Sequence, residues 1–557
     1  MSAKIDDKIV FRFFLDLLKK KDAENQWHIP IFGFNAESLN NNGLRRGEEN
    51  LRFGKNLYRL IKEFNQENQK DDLLKILEKL DKTQQKDSNL PYSYTIDLID
   101  VFKILDIISN SSRNQSYSIN RKLKINLLEL IWPRFIRRSI QCLRDIDKRD
   151  KGVYKSDFGV VELKNYFEEY SKFEQLLFGA HEYQREHILH VFRDYLLGVY
   201  LVCKDKFLTN KKDSIKNFDK IKLDEIYEEA EDKKDQADNY QEKFAIWTII
   251  ALTHDLGYPL EKLSKINQRV FDMMKYFGTS NFYTLRYNLP LQGQFLNEHI
   301  LRFISSKLVK TKSDECSEYM VSIQSKYYSK FSNSFEGLKH GIISSLLLMK
   351  NLVYFKESDF PRKEKRINQQ EACQFLIRRE ILRAIASHDC DDIYHIRNDT
   401  MSFLLIITDE LQEWDRPYAK DKNEADKEST VYIKKYTDNK ICIELDYATI
   451  QQDFYEKLKF KVRKFIRIFR SAVASEKRKF SFEIVFKRNS KIAEHESEKE
   501  PKLINQEKIP ELRRCDYWQL LFPKPRADKD RYSPPRLIVY INDRFQRVDF
   551  RDLFDFD

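Results

Sequence analysis

An imidazole and a carboxylate stand side by side at His254 and Asp255, near the end of the apolar stretch FAIWTIIALTHDLGYP that runs from Phe244 to Pro259. The spacing predicts a buried helix, with Gly257 as its stop signal and Pro259 just beyond. Burying such a pair is costly unless both groups find partners, and a cation would partner both. Neighbouring positions on a helix diverge by about 100°, so the two can reach one ion only at the helix edge. An isolated His-Asp dipeptide is also the ordinary polar end of a core helix, so its companions decide the reading.

Those companions lie on other apolar segments. HEYQREHILHVFRDYLLGVYLV sets His187, His190 and Asp194 at i, i+3 and i+7, on one face otherwise continued by apolar residues. FEGLKHGIISSLLLMK carries His340, EILRAIASHDCDD carries His388, and SFLLIITDELQEWDR carries Asp409 within its apolar run. Taken singly, each has a bland role as a core histidine, a cap neighbour, a helix C-terminal cation or a surface carboxylate. Together they put imidazole or carboxylate on five apolar helices in the order H, HD, H, H, D, a concentration of ligand chemistry that calls for a divalent ion. The spacing HILH lets either His187 or His190 be the first of them. Arg416, seven residues after Asp409 and read on a similar face of a continuing helix, offers a planar fork for a phosphate, with pairing to Asp415 as the competing role.

This order resembles the HD superfamily of metal-dependent phosphohydrolases, in which a His, an adjacent His-Asp and a distant Asp come from separate helices of one bundle. The resemblance covers residues from about 170 to 420. It implies that His187, His254, Asp255 and Asp409 hold one divalent metal. It further implies that His340 and His388 take the place of the added histidines of branches with a second metal, where the HD aspartate bridges. One or two ions (Mn, Fe, Mg, Ni or Zn) are the expected cofactor. The implied reaction is hydrolysis of a phosphoester or phosphoanhydride of a nucleotide-like substrate, with Asp255, His340 and His388 in the catalytic machinery and His190 and Arg416 on the substrate. A metal lowers the pKa of bound water from about 15.7 toward 7 and neutralises phosphoryl charge. His340 or His388, if not a ligand, would serve as a general acid. Gly257-Tyr258-Pro259 comes directly after HD, unlike the later GYP of the HD-GYP group, so no cyclic-dinucleotide specificity is drawn from it.

Two other functions stay open. The same site could serve a nuclease, with the basic segment KLKFKVRKFIRIFR at 457–470 guiding a strand, or the bundle could be a non-catalytic, nucleotide-sensing scaffold. The patterns GxxxxGK[ST], GxGxxG and GxSxG are all missing, which disfavours NTP-driven motors, dinucleotide binding and esterase chemistry.

The elements that must position these residues are mainly α-helical: an HD-type helical bundle with a helical N-terminal region and a smaller C-terminal α+β domain. A chain of 557 residues suggests about three to four domain-sized pieces. Helical spacing marks 1–150, and a denser helical region spans 160–420, interrupted by a charged insertion at 210–240 expected to loop out as a solvated segment. At 428–487 the pattern changes to β-β-α-β, with a turn at Asp438-Asn439 and a long helix from Ile450 to Val473. Residues 488–557 read as a linker and a final hairpin turning at Asn542-Asp543. Hydrophobic residues make up 41% against 34% charged, enough to drive collapse. The net charge of +11 is spread with both signs interspersed, a general bias that leaves nucleic acid open as a partner. Seven cysteines, never paired as CxxC, suit a reducing cytoplasm. The N-terminal sequence has charges inside what would be a signal peptide's apolar core, and no apolar run approaches about 18 residues, so no membrane segment is expected. Oligomeric state is left open.

Overall fold

The computed structural model describes residues 3–19, 57–66, 71–86, 98–110, 117–147, 159–180, 185–204, 215–231, 236–274, 276, 291–311, 318–356, 367–390, 396–397, 399–414, 416, 429–437, 440–447, 460–461, 464–465, 472–473, 481–488, 513–516 and 536–542. These are mostly helical with a few small sheets. In chain order the helices are α1 (Asp7–Lys19), α2 (57–66), α3 (Asp71–Lys86), α4 (Leu98–Asn110), α5 (Tyr117–Asp147), α6 (Val160–Ala180), α7 (Ile188–Lys204), α8 (Glu225–Glu231), α9 (Gln236–Thr253), α10 (Tyr258–Met274), α11 (Leu291–Ile304), α12 (Ser325–Glu336), α13 (His340–Asn351), α14 (Val353–Lys356), α15 (Gln369–His388) and α16 (Met401–Leu411). Among the described residues no helix is long and apolar enough to cross a membrane.

Helix α9 is the axis of the core. Its apolar run from Phe244 to Leu252 is buried on every side, as a helix without a polar face must be. It packs against α5, α7, α15 and α16. Two indoles pin it: Trp132 of α5 donates Nε1–H to Leu252 O (2.8 Å), and Trp247 donates to Tyr195 O of α7 (3.1 Å). A Cβ on Gly198 would fall 2.0 Å from the Trp247 ring, so α7 approaches this closely only because that residue is glycine.

The N-terminal helices share this core. Helix α1 packs on α4 and α7, and Asp7 at its start is buried among charges from distant parts of the chain. Arg193 of α7 grips it with Nε (2.7 Å) and a terminal nitrogen (2.8 Å), while Lys124 of α5 (2.7 Å) and the Trp414 indole (3.0 Å) complete its shell. Burial works to raise the Asp7 pKa, but Arg193 and Lys124 outweigh it and hold the carboxylate well below its ordinary range.

The charged segment at 210–240 departs from expectation. Rather than lying in solvent, its residues 215–231 form a 3-10 helix at Ile215–Lys220 and helix α8, with Ile215, Phe218, Ile221 and Tyr227 buried against α7, α9 and α15, while 210–214 and 232–235 lie outside the described residues. Its charges are matched locally: Arg379 of α15 reaches Asp224 (2.8 Å), and Lys243 reaches Glu228 (3.3 Å). Apolar residues at one face of the segment carry it into the core despite its high net polarity.

The strands are β1 (Ala3–Ile5), β2 (Ser306–Thr311), β3 (Glu318–Ile323), β4 (Ile396–Arg397), β5 (Thr430–Thr437), β6 (Lys440–Tyr447), β7 (Ala472–Val473), β8 (Ser481–Arg488), β9 (Arg513–Asp516) and β10 (Arg536–Asn542). One sheet runs β1-β5-β6-β8-β10-β9. The expected β5–β6 hairpin is antiparallel, and its turn at Asp438-Asn439 lies outside the described residues. Strand β8 returns parallel to β6, as a crossover connection requires. Of the predicted helix 450–473, residues 460–461 and 464–465 are described and helical, whereas Ala472–Val473 is instead strand β7, parallel to β4. In the final segment β10 pairs with β8 and β9, and the rest of the expected hairpin, from Asp543 onward, lies outside the described residues. Strand β1 adds to the far edge beside β5, a partner that sequence pattern did not suggest. The β2–β3 hairpin likewise falls in a region read as helical.

Replacing Asp7 with Ala should destabilise the fold by about 3–5 kcal/mol, since buried Arg193 and Lys124 lose their shared carboxylate. Because its folded pKa is depressed, the contribution is present above the unfolded value of about 3.9 and fades as pH falls below it. Urea denaturation of both proteins at pH 7 and pH 3 should show the difference shrinking in acid.

Candidate metal centre

Helix α9 stops at Thr253, and residues 254–257 form a turn before α10 begins at Tyr258. That turn is locked to α13. The Gly257 amide donates to Ser344 Oγ (2.8 Å), and Ser344 Oγ in turn donates to His254 O (2.6 Å). A Cβ on Gly257 would lie 2.3 Å from His340 O and 2.9 Å from the Ser344 nitrogen, so a side chain there would push the helix away. Gly341 plays the same part between α13 and α15, where a Cβ would come 2.7 Å from Ile385 O. These close approaches bring the first residue of α13, His340, to the last residue of α15, His388, with their Nε2 atoms 3.0 Å apart.

From the other side, α7 supplies His190 and Asp194, and α16 supplies Asp409. His190 Nε2 lies 3.0 Å from Asp409 Oδ1 and 3.1 Å from Asp194 Oδ2. His254 Nε2 lies 3.6 Å from the same Asp194 oxygen. Asp255 stands between the two sets: its Oδ2 is 3.8 Å from His190 Nε2, while its Oδ1 is 3.7, 3.3 and 3.6 Å from the Nε2 atoms of His254, His340 and His388. Among the described residues, three groups have donor atoms close enough together to hold a cation: His190, Asp194, His254 and Asp409; His254, Asp255 and His388; and Glu261, His340 and Asp389.

The orientation of the rings decides what the cluster can do. His254 Nδ1 faces Ala251 O (2.9 Å) and His388 Nδ1 faces Ile385 O (2.6 Å); a carbonyl only accepts, so each Nδ1 carries the hydrogen. His190 Nδ1 faces Gln412 Oε1 (2.6 Å), and the amide is held that way round because Gln412 Nε2 donates to Trp414 O. His340 Nδ1 faces two carboxylates, Glu261 (2.7 Å) and Asp389 (2.9 Å). In His190, His254 and His388 a ring so anchored, when neutral, directs its Nε2 lone pair inward, and this is how metal-binding histidines are held. At 3.0 Å the lone pairs of His340 and His388 repel unless a proton or cation lies with them. Both oxygens of Asp194 and Nε2 of His254 are buried without a hydrogen-bond partner, an expense that a shared cation removes. The residues present therefore fit a divalent ion.

Burial and neighbouring charges set the ionisation of each group. Burial pushes His254 down to about 4, and burial together with Arg416 lowers His190, which keeps both imidazoles neutral. Burial also raises Asp194 well above the usual carboxylate range. Asp255 and Asp409 resist the same burial: the surrounding imidazoles, His254 and His388 first, hold Asp255 well below its ordinary value, and His190 does so for Asp409. His340 is raised against burial by Asp389 and Glu261, and Glu261 is drawn down to about 2 by His340.

Of the residues singled out in the sequence, the structure gathers His254, Asp255, His340, His388 and Asp409. It also separates the two candidate first histidines. His190 enters the cluster, whereas the His187 ring stacks on Tyr258 (centroids 3.6 Å apart) and its Nδ1 lies 3.1 Å from Glu174, so His187 stands outside every ion-compatible group. Arg416 is not on a continuing helix, because α16 ends at Leu411; its Nε donates to Glu186 O (3.0 Å), and its charge still reaches His187 and His190. Asp415 lies outside the described residues. Asp194, seen in the sequence on the His190 face, proves to belong to the cluster, as its i+4 spacing from His190 allows. Glu261, Asp389, Glu174 and Gln412 were missed. Asp389 adjoins His388, but nothing in the sequence marks the other three.

Comparison of the chain with protein-family models, curated proteins and solved structures gives no match. Gly257→Ala should loosen the α9–α13 contact at a cost of about 1–3 kcal/mol, read as a lower urea midpoint. Adding manganese(II) or zinc(II) to metal-free protein should raise the melting temperature, by the equivalent of about 2.7 kcal/mol at roughly a hundred times Kd. An unmoved transition would contradict a metal centre.

Proposed function

We propose that this chain is a metal-dependent phosphohydrolase of the HD kind, cleaving a phosphoester or phosphoanhydride of a nucleotide-like substrate. One observation carries the reading: the buried Asp255 carboxylate turns one oxygen toward His190 and the other toward His254, His340 and His388, whose Nδ1 atoms are all held by acceptors. His190, His254, Asp255 and Asp409 would hold one divalent ion, and Asp255, His340 and His388 a second. Ions so held supply Lewis acidity, making water nucleophilic near neutral pH and offsetting charge on phosphoryl oxygens.

The protein's own groups set the rest. Asp409 and His340 are the partly exposed members, with side chains 21% and 18% accessible, so substrate approaches on their side while His190, Asp194 and His254 close the floor. Arg416 places positive charge beside His187 and His190, where it favours a phosphate. Carboxylates Glu261 and Asp389 keep the proton of His340 on Nδ1 and aim Nε2 at Asp255.

Within the basic segment at 457–470, the described cations favour a small-molecule substrate over a nucleic-acid strand. Lys461 is buried against Glu410 and Glu413 (both 2.7 Å), and Lys464 pairs with Glu410 (2.5 Å), so these cations serve packing onto α16. Purified protein should retain a divalent metal and release phosphate from a member of a panel of nucleotides, cyclic nucleotides and single-stranded nucleic acids. Asp255→Ala should lose the metal and at least about a hundredfold in turnover. Full turnover in that variant would exclude the assignment.

A further inference from the structure

The donor atoms around Asp255 are divided unevenly. On the α7–α16 side are three carboxylates and His190: Asp194 Oδ2 and Asp409 Oδ1 lie 3.1 and 3.0 Å from His190 Nε2, and Asp255 Oδ2 lies 3.8 Å from it. His254 Nε2, 3.6 Å from Asp194 Oδ2 and 3.7 Å from Asp255 Oδ1, can serve either half, so the difference between them lies in the carboxylates. On the α13–α15 side two imidazoles, His340 and His388, face one carboxylate oxygen, Asp255 Oδ1, at 3.3 and 3.6 Å.

Asp194 makes the difference. It stands outside the H, HD, H, H, D order read from the sequence, is fully buried, and has no hydrogen-bond partner for either oxygen. With two imidazole nitrogens at 3.1 and 3.6 Å from its Oδ2, Asp194 adds a third oxygen-bearing group to one half alone. Carboxylate-rich sites suit hard ions such as magnesium and manganese, which take many oxygen ligands; imidazole-rich sites suit zinc, nickel and copper. Two histidines and one carboxylate also make up the three-ligand set of catalytic zinc sites, which keep a fourth position open.

We infer that the two halves take ions of different class: a hard ion of the manganese(II) type on the Asp194 side and a borderline ion of the zinc(II) type between His340 and His388. The inference rests on the metal-centre reading proposed above and names which ion each half selects. Asp194 is then the residue that sets selectivity, acting on ion choice and not only on affinity.

The test uses the full chain, stripped of metal, incubated with one equivalent of zinc(II) and an excess of manganese(II), desalted, and assayed for metal content by mass spectrometry and for bound manganese by electron paramagnetic resonance. Wild-type protein is expected to retain one zinc and one manganese per chain. Asp194→Asn, nearly isosteric, is expected to keep the zinc and lose manganese at least about tenfold, and His388→Gln to do the reverse. Melting curves show whether each variant is folded, and the wild-type arm decides the matter if one is not. Retention of manganese alone or zinc alone by wild-type protein, or full manganese retention by folded Asp194→Asn, would overturn the division. Phosphate release is measured on the same samples. The expected metal pattern without hydrolysis of any nucleotide supports the division of ions and overturns the phosphohydrolase reading, whereas retention of neither metal overturns both.

Discussion

The centre depends on where four imidazole hydrogens are parked. His254 gives its own to a carbonyl of the helix just before it and His388 to one of its own helix, His190 to a side-chain amide, and His340 to a pair of carboxylates. With every Nδ1 committed, the Nε2 atoms and the Asp255 oxygens are left facing one another in a space from which water is largely excluded. Such an arrangement is unfavourable by itself, because lone pairs and carboxylates repel at low dielectric. The fold must therefore hold it in place from outside, and it does so with helices and the tight turn after α9.

That outer support is visibly built in layers. The apolar α9 delivers His254 and Asp255 at its terminus, and its all-round burial fixes where that terminus lies. Gly257 and Gly341 let α13 come close to both α9 and α15. Helix α7 is seated by Glu174, which receives the amide hydrogens of His187 (2.6 Å) and Ile188 (3.3 Å), and by the Asp7–Arg193 pair one position before Asp194. Helix α16 and the residues just after it are clamped through Glu410 and Glu413 by Lys461, Lys464 and Arg185. Each of these charged groups is matched, so the polar network around the centre is mostly satisfied outside the cluster itself.

Much of the cluster was legible because its members interrupt apolar helical spacing: His254, Asp255, His340, His388 and Asp409 each break a run that packing alone would have kept apolar. The choice between His187 and His190 was not, since both lie on the face toward the core and their distant partners separate them, Tyr258 and Glu174 for His187 and Gln412 and Asp409 for His190. The predominance of helix followed from periodicity, and so did the pairing of β5 with β6. Residues 210–240 misled because their charge count hides a few apolar positions that bury well. The β1–β5 pairing and the carboxylates Glu261 and Glu174 depend on which distant segments meet, and local pattern carries no record of that.

The pairing of Ala3–Ile5 with residues 431–433, reinforced by the Asp7–Trp414 contact across 407 positions, ties the order of assembly to the length of the chain. Loops of that span close at a large entropic cost, and contacts so remote are slow to form. During synthesis Asp7 can meet Lys124 and Arg193 long before Trp414 or strand β5 exists. Strand β1 must then wait as an unpaired edge until β5 has emerged, which leaves it open to mispairing with another chain in the interval.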